Sequence, residues 1–108
     1  MFPGGYNKTM RYELRSTEHY DTWFARLKDR AVRLKVLARL ARVENGNFGD
    51  FRQLSENLFE LRFFFGGGLR VYYTIREGVV VLLLAGGDKG TQTRDVGKAA
   101  RQLHELEG

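Results

Sequence analysis

Three consecutive glycines, Gly66, Gly67 and Gly68, stand between two runs of alternating character, and few folds accommodate such a stretch. Before them, Phe59, Leu61, Phe63 and Phe65 fall on one face of an extended segment, with Glu60, Arg62 and Phe64 on the other. After them, Leu69, Val71, Tyr73 and Ile75 oppose Arg70, Tyr72, Thr74 and Arg76. A period of two is the signature of a half-buried strand, and glycine supplies the positive φ that a tight reversal needs. Glu77 and Gly78 mark a second turn. Residues 79–84 are wholly apolar, the pattern of a strand covered on both faces. The stretch predicts a three-strand antiparallel meander with arginines on its polar face. It runs out in a glycine-rich loop, Gly86-Gly87-Asp88-Lys89-Gly90.

Upstream, residues 1–9 hold the only proline and no periodicity, which predicts a flexible extension ahead of a single domain over residues 10–108, with Met10 as an alternative start. Residues 11–15 alternate, with Tyr12 and Leu14 on one face of a first strand. Ser16 or Thr17 can cap the following helix, where Tyr20, Trp23, Phe24 and Leu27 form an aromatic stripe at helical spacing. After a bend at residues 28–30, a second helix runs to Glu44, with Leu34, Leu37, Leu40 and Ala41 expected inside and Val36 near the edge. Asn45, Gly46 and Asn47 end it. Residues 48–55 read as an irregular or short extended approach to the sheet. Thr91 or Thr93 is expected to cap a last helix carrying Val96, Ala99, Ala100, Leu103 and Leu106 on one side. The expected fold is α+β: an antiparallel sheet with an N-terminal helical hairpin packed on one face and a C-terminal helix. The opposite face, with Arg62, Arg70, Tyr72, Thr74 and Arg76, is left open or partly covered by that last helix.

At 108 residues the chain is expected to form one domain. It has no cysteine, which excludes disulfides and thiolate-held metal and suits a reducing compartment. No apolar run reaches the ~20 residues of a transmembrane helix, so a cytoplasmic protein without membrane contact is expected. Net charge is +5, and Arg26, Lys28, Arg30, Arg33, Lys35, Arg39 and Arg42 face the single nearby acid Asp29, which favours a polyanionic partner.

Glu60-Leu61-Arg62, Gly68-Leu69-Arg70-Val71-Tyr72-Tyr73, the apolar residues 82–84 and Gly86-Gly87-Asp88-Lys89-Gly90-Thr91-Gln92 together resemble the RelE/HigB-type toxins of toxin–antitoxin modules. The resemblance is to the phage-derived, addiction-module killer branch, which often has serine where this chain has Gly90. It implies a RelE-like, microbial-RNase-like fold and mRNA cleavage on the ribosome. It also implies neutralisation by a cognate antitoxin, a helix-turn-helix DNA-binding protein. No cofactor or metal is called for. Arg62 and Arg70, on one face by parity, can clamp a phosphate, Lys89 can stabilise charge or donate a proton, and Asp88 can orient it or act as base. Tyr72 can stack on a base, and Arg76, Gln92, Arg94, Arg33 and Lys35 are further candidate RNA contacts. The amides at the start of the last helix favour an anion, whereas His19 and His104 fall outside the site. Two other functions fit the same scaffold: a gyrase poison like the ParE-type relatives, and an inactive protein that keeps only antitoxin binding. Structurally, Arg62, Arg70 and Arg76 can also be mere cross-strand partners of Glu60 and Glu77, and the basic helix a solvated face.

Overall fold

Local chemistry sets the ends of the helices in the computed structural model, which describes residues 11–107. The extension expected at residues 1–9 lies outside the described residues. Thr17 caps α1 (Glu18–Ala25): its hydroxyl accepts from the Tyr20 amide and donates to the Leu84 carbonyl, tying the helix start to the sheet. Asp29 caps α2 (Arg30–Glu44) by accepting from the Ala31 and Val32 amides. Asn45 and Gly46 close the helix, the glycine at a φ of 88°. The last helix, α3, spans Gln92–Glu107 and follows a 3₁₀ turn over Lys89–Thr91. Asp88 caps that turn, with Thr91 returning the bond to the Asp88 amide. The expected cap at Thr91 or Thr93 therefore lies one turn earlier, at the carboxylate.

The strands are β1 (Glu13–Ser16), β2 (Phe51–Ser55), β3 (Leu58–Arg62), β4 (Arg70–Arg76) and β5 (Val80–Gly87). They form one sheet in the order β1-β5-β4-β3-β2. The meander is antiparallel as expected and gains an edge strand, because the approach at residues 51–55 pairs with β3. The first strand departs from the antiparallel expectation: β1 lies parallel to β5, with Glu13 opposite Val80 and Ser16 opposite Leu83. The two helices carry the chain across one sheet face to the far edge, so β1 is left alone until β5 returns beside it.

Each sheet face has its own core. Tyr20 of α1 and Val36, Leu40 and Val43 of α2 pack on Leu61, Phe63, Val71, Tyr73, Val81 and Leu83. Across the sheet, Ala99 and Leu103 of α3 pack on Leu58, Tyr72, Leu84 and Ala85. Of the two expectations for this face, open or partly covered by the last helix, the second holds, with α3 packed over it.

One expectation about α2 fails. Leu34 and Leu37 are half exposed and Ala41 is exposed, whereas Val36, Arg39, Leu40 and Val43 are buried. Arg39 explains the rotation. Its guanidinium donates to the carbonyls of Phe48, Arg62 and Asp50 at 2.9, 3.0 and 2.7 Å and lies 4.8 Å over the Phe63 ring. These carbonyls belong to the approach to β2 and the end of β3; that of Asp50 also accepts from the Arg62 amide at 3.0 Å. Among the described residues no helix is long and apolar enough to cross a membrane.

Candidate functional site

Register brings the central residues together. Arg62 ends β3 directly opposite Arg70, which opens β4 and lies opposite Gly87 at the end of β5. The three form one row across one end of the sheet, on the α3 side. The connection between Arg62 and Arg70 is held at both limbs. Phe63 donates to the Leu69 carbonyl at 3.0 Å, and Leu69 donates to the Phe65 carbonyl at 3.1 Å. Gly66, Gly67 and Gly68 lie at φ of 61°, 73° and 79°, a run of left-handed backbone that side chains would strain. The loop also meets the residue after β5: the Lys89 amide donates to the Gly67 carbonyl at 3.3 Å, and a Cβ on Gly68 would stand 3.2 Å from the Lys89 Cβ. Lys89 is exposed beside this loop, two residues beyond the row.

Beneath the arginines sits a carboxylate that the sequence offered only as their cross-strand neighbour. Glu60 is 0% exposed. Its Oε1 lies 3.9 Å from the Nε of both Arg62 and Arg70, and its Oε2 accepts from the Gln92 side-chain Nε2 at 2.8 Å. At 3.9 Å these are ion pairs without hydrogen bonds. The Nε atoms of Arg62 and Arg70, Glu60 Oε1 and the Tyr72 hydroxyl are all buried without a hydrogen-bond partner. Such atoms ordinarily find one. Glu60 fixes two like charges side by side, and Gln92 fixes Glu60 to the start of α3.

The loop after β5 is more committed than its sequence suggested. Asp88 Oδ1 accepts from the amides of Gly90 and Thr91 at 2.8 and 3.1 Å. The amides expected to favour an external anion are therefore occupied by the chain's own carboxylate, and only Oδ2 of Asp88 stands outside the cap. Thr91 also donates to Asp95 Oδ2, and any Cβ on Gly87 would overlap that carboxylate. A Cβ on Gly86 would overlap the Trp23 indole. The paired glycines let α1 and α3 close on the end of β5 from opposite sides. Past that end a cleft of about 530 Å³ lies between the helices, bordered by Arg26, Arg94 and Lys98 as well as Glu18 and Asp95.

The remaining candidates separate. Tyr72 is fully buried under α3, so its ring has no face to offer a base, which corrects the stacking role expected of it. Burial, with Glu60 beside it, pushes its phenol well above the ordinary range. Arg76 is exposed at the opposite end of β4 from Arg70. Arg33 donates to the Leu27 carbonyl at 2.9 Å, bracing the α1–α2 bend, and Lys35 lies 4.9 Å over the Phe65 ring. Neither His19 nor His104 joins the row; His19 borders the cleft and His104 is exposed on α3. The sequence reading missed Arg39, Asp95 and the depth of Glu60. Parity alone set Glu60 on the arginine face, but only the packing of α3 buries it.

The order of strands and the two-sided helical cover define a RelE-like fold. Over 86% of this chain and 98% of the other, it superposes with a TM-score of 0.68 on a doubly substituted E. coli toxin RelE in the free state, at 20% identity. A substituted E. coli RelE in complex with an antitoxin RelB peptide gives 0.59 at 21% identity, over 79% of this chain and 94% of that one. A chain of the intact E. coli RelBE toxin–antitoxin complex gives 0.58 at 22% identity, over 71% and 95%. Residues 22–104 match the family described as Phage derived protein Gp49-like, and the chain belongs to that family. An uncharacterised protein of Haemophilus influenzae is 40% identical over 97 residues, covering 90% of this chain and 98% of the relative. The resemblance read from residues 60–92 is borne out at the level of family and fold.

Proposed function

We propose that this protein is the toxin of a toxin–antitoxin pair, acting in the cytoplasm as an mRNA endoribonuclease on the ribosome. The observation that carries the reading is the opposed pair of Arg62 and Arg70, set side by side over Glu60. Glu60 lies against the Nε atoms from within, and a scissile phosphate meets the outer nitrogens of the two guanidinium groups. In the reaction the 2′-oxygen forms a bond to phosphorus as the bond from phosphorus to the 5′-oxygen breaks. One proton leaves the 2′-hydroxyl and one reaches the 5′-oxygen. Arg62 and Arg70 hold the phosphate and meet the growing charge, Lys89 protonates the leaving oxygen, and Asp88 Oδ2 takes the first proton. Arg94 and the cleft beyond β5 receive the neighbouring nucleotide.

The RelE chains that superpose on this fold include two bound to antitoxin, which supports a neutralising partner encoded beside this gene. The capping of Asp88 Oδ1 favours a second reading, a poison that binds its target without cutting RNA.

Inducible expression with mapping of mRNA 5′ ends tests the choice. Growth arrest is expected with new 5′ ends, relieved by the adjacent reading frame. Arg62→Ala, Arg70→Ala and Lys89→Ala should each lose about 10²–10³ in cleavage rate, as groups that stabilise developing charge do. Arg76→Ala, at the far end of its strand, should lose little. Full toxicity of the Arg70→Ala and Lys89→Ala proteins at matched expression rejects the site, and arrest without new 5′ ends selects the poison.

A further inference from the structure

Phe64 has 92% of its surface exposed, more than any other large apolar side chain among the described residues. Its neighbours turn inward: Phe63 is buried, Phe65 half-buried, and their rings meet edge to face at 5.4 Å. The chain reverses around them within the hydrogen-bonded loop that also receives the Lys89 amide. An aromatic ring is thus held out in water on a fixed support, between Arg62, two residues before it, and the limb that touches Lys89. Lys35 stands over the Phe65 ring behind it, Lys89 lies against Gly68, and Asp88 lies beside Gly67.

A ligand suited to this corner carries negative charge and a flat π-face at once. Single-stranded nucleic acid has both, since unpaired bases stack on exposed aromatic rings while cationic grooves follow the backbone. Tyr72, the aromatic first expected to stack, is sealed under α3. We infer that Phe64 is the stacking platform for an unpaired base adjoining the phosphate held by Arg62 and Arg70. This rests on the nucleic-acid reading above and adds to it a positioning residue that acts on the base. Every base has a π-face, so the platform gives affinity and register with little sequence preference.

Two oligodeoxynucleotides of equal length and charge, one bearing bases and one abasic, lack the 2′-hydroxyl and report binding alone. The wild-type protein should favour the base-bearing strand roughly ten-fold or more at low salt. Phe64→Ala should lose that preference, keep the salt-sensitive binding common to both strands, and melt as wild type does; Phe64→Trp should restore the preference. An unchanged preference in Phe64→Ala overturns the inference and leaves the nucleic-acid reading standing. Binding of neither strand by wild type overturns both. If Phe64→Ala keeps the preference but weakens binding of the adjacently encoded partner, the ring is a protein contact and the inference falls.

Discussion

At the residue scale the site combines groups whose surroundings pull in opposite directions. Arg70 is nearly buried, with the carboxylate of Glu60 beneath it as its neighbouring opposite charge. The side on which Arg62 and Arg70 lie was legible, because alternation fixes the face once one strand residue is assigned to the core. What alternation cannot report is depth. Glu60 shares that face, and only the closure of α3 distinguishes a buried anchor from a solvated partner. The same closure hides Tyr72, and burial also raises the phenols of Tyr20 and Tyr73 well above their usual range. A raised folded-state pKa means that the neutral phenol is favoured by folding. Stability from these tyrosines is therefore intact below the ordinary phenol pKa of about 10 and lost as pH climbs past it. Denaturant titrations at about pH 8 and about pH 11, followed through Trp23 fluorescence, should show the midpoint falling on the alkaline side. Replacing Tyr72 by Phe should reduce that fall.

At the element scale, helices and strands were readable, but the rotation of α2 was not. Its sequence carries two overlapping stripes, one through Leu34, Leu37 and Ala41 and one through Val36, Arg39 and Val43, sharing Leu40. Hydrophobic spacing favours the first because it counts leucines. The structure takes the second because Arg39 donates to three backbone carbonyls outside its helix, a requirement set by distant residues. The helix thus leaves Leu34 and Leu37 to solvent. Truncating Leu61 or Val71, both fully buried at the centre of that core, should cost about 2–4 kcal/mol in denaturant-induced unfolding. Leu34→Ala should change the midpoint little, within the roughly 0.5 kcal/mol usual for surface positions. Equal losses at Leu34 and Leu61 would contradict the observed rotation.

At the scale of the whole molecule, two helical layers clamp a sheet whose working end collects Arg62, Arg70 and the loop bearing Lys89. Among the described residues no three His, Cys, Asp or Glu side chains converge as metal ligands. With arginine and lysine as the charge-bearing groups, the proposed RNA cleavage should persist in excess chelator and leave a 2′,3′-cyclic phosphate end. Loss of cleavage in chelator, restored by a divalent cation, would reject the proposed chemistry. The family resemblance was legible in residues 60–92, but the parallel placement of β1 was not, because local patterning carries no information about which distant strand a segment joins. That placement sets an order of events during synthesis. The strand made first takes its seat last, since its partner, Val80–Gly87, emerges only after every other strand. A nascent chain halted before Val80 has one edge unfilled, no loop to bring Lys89 to the arginines, and no α3 to press Glu60 between them. Until translation is nearly complete, the nascent chain lacks the assembled site that the proposed function requires.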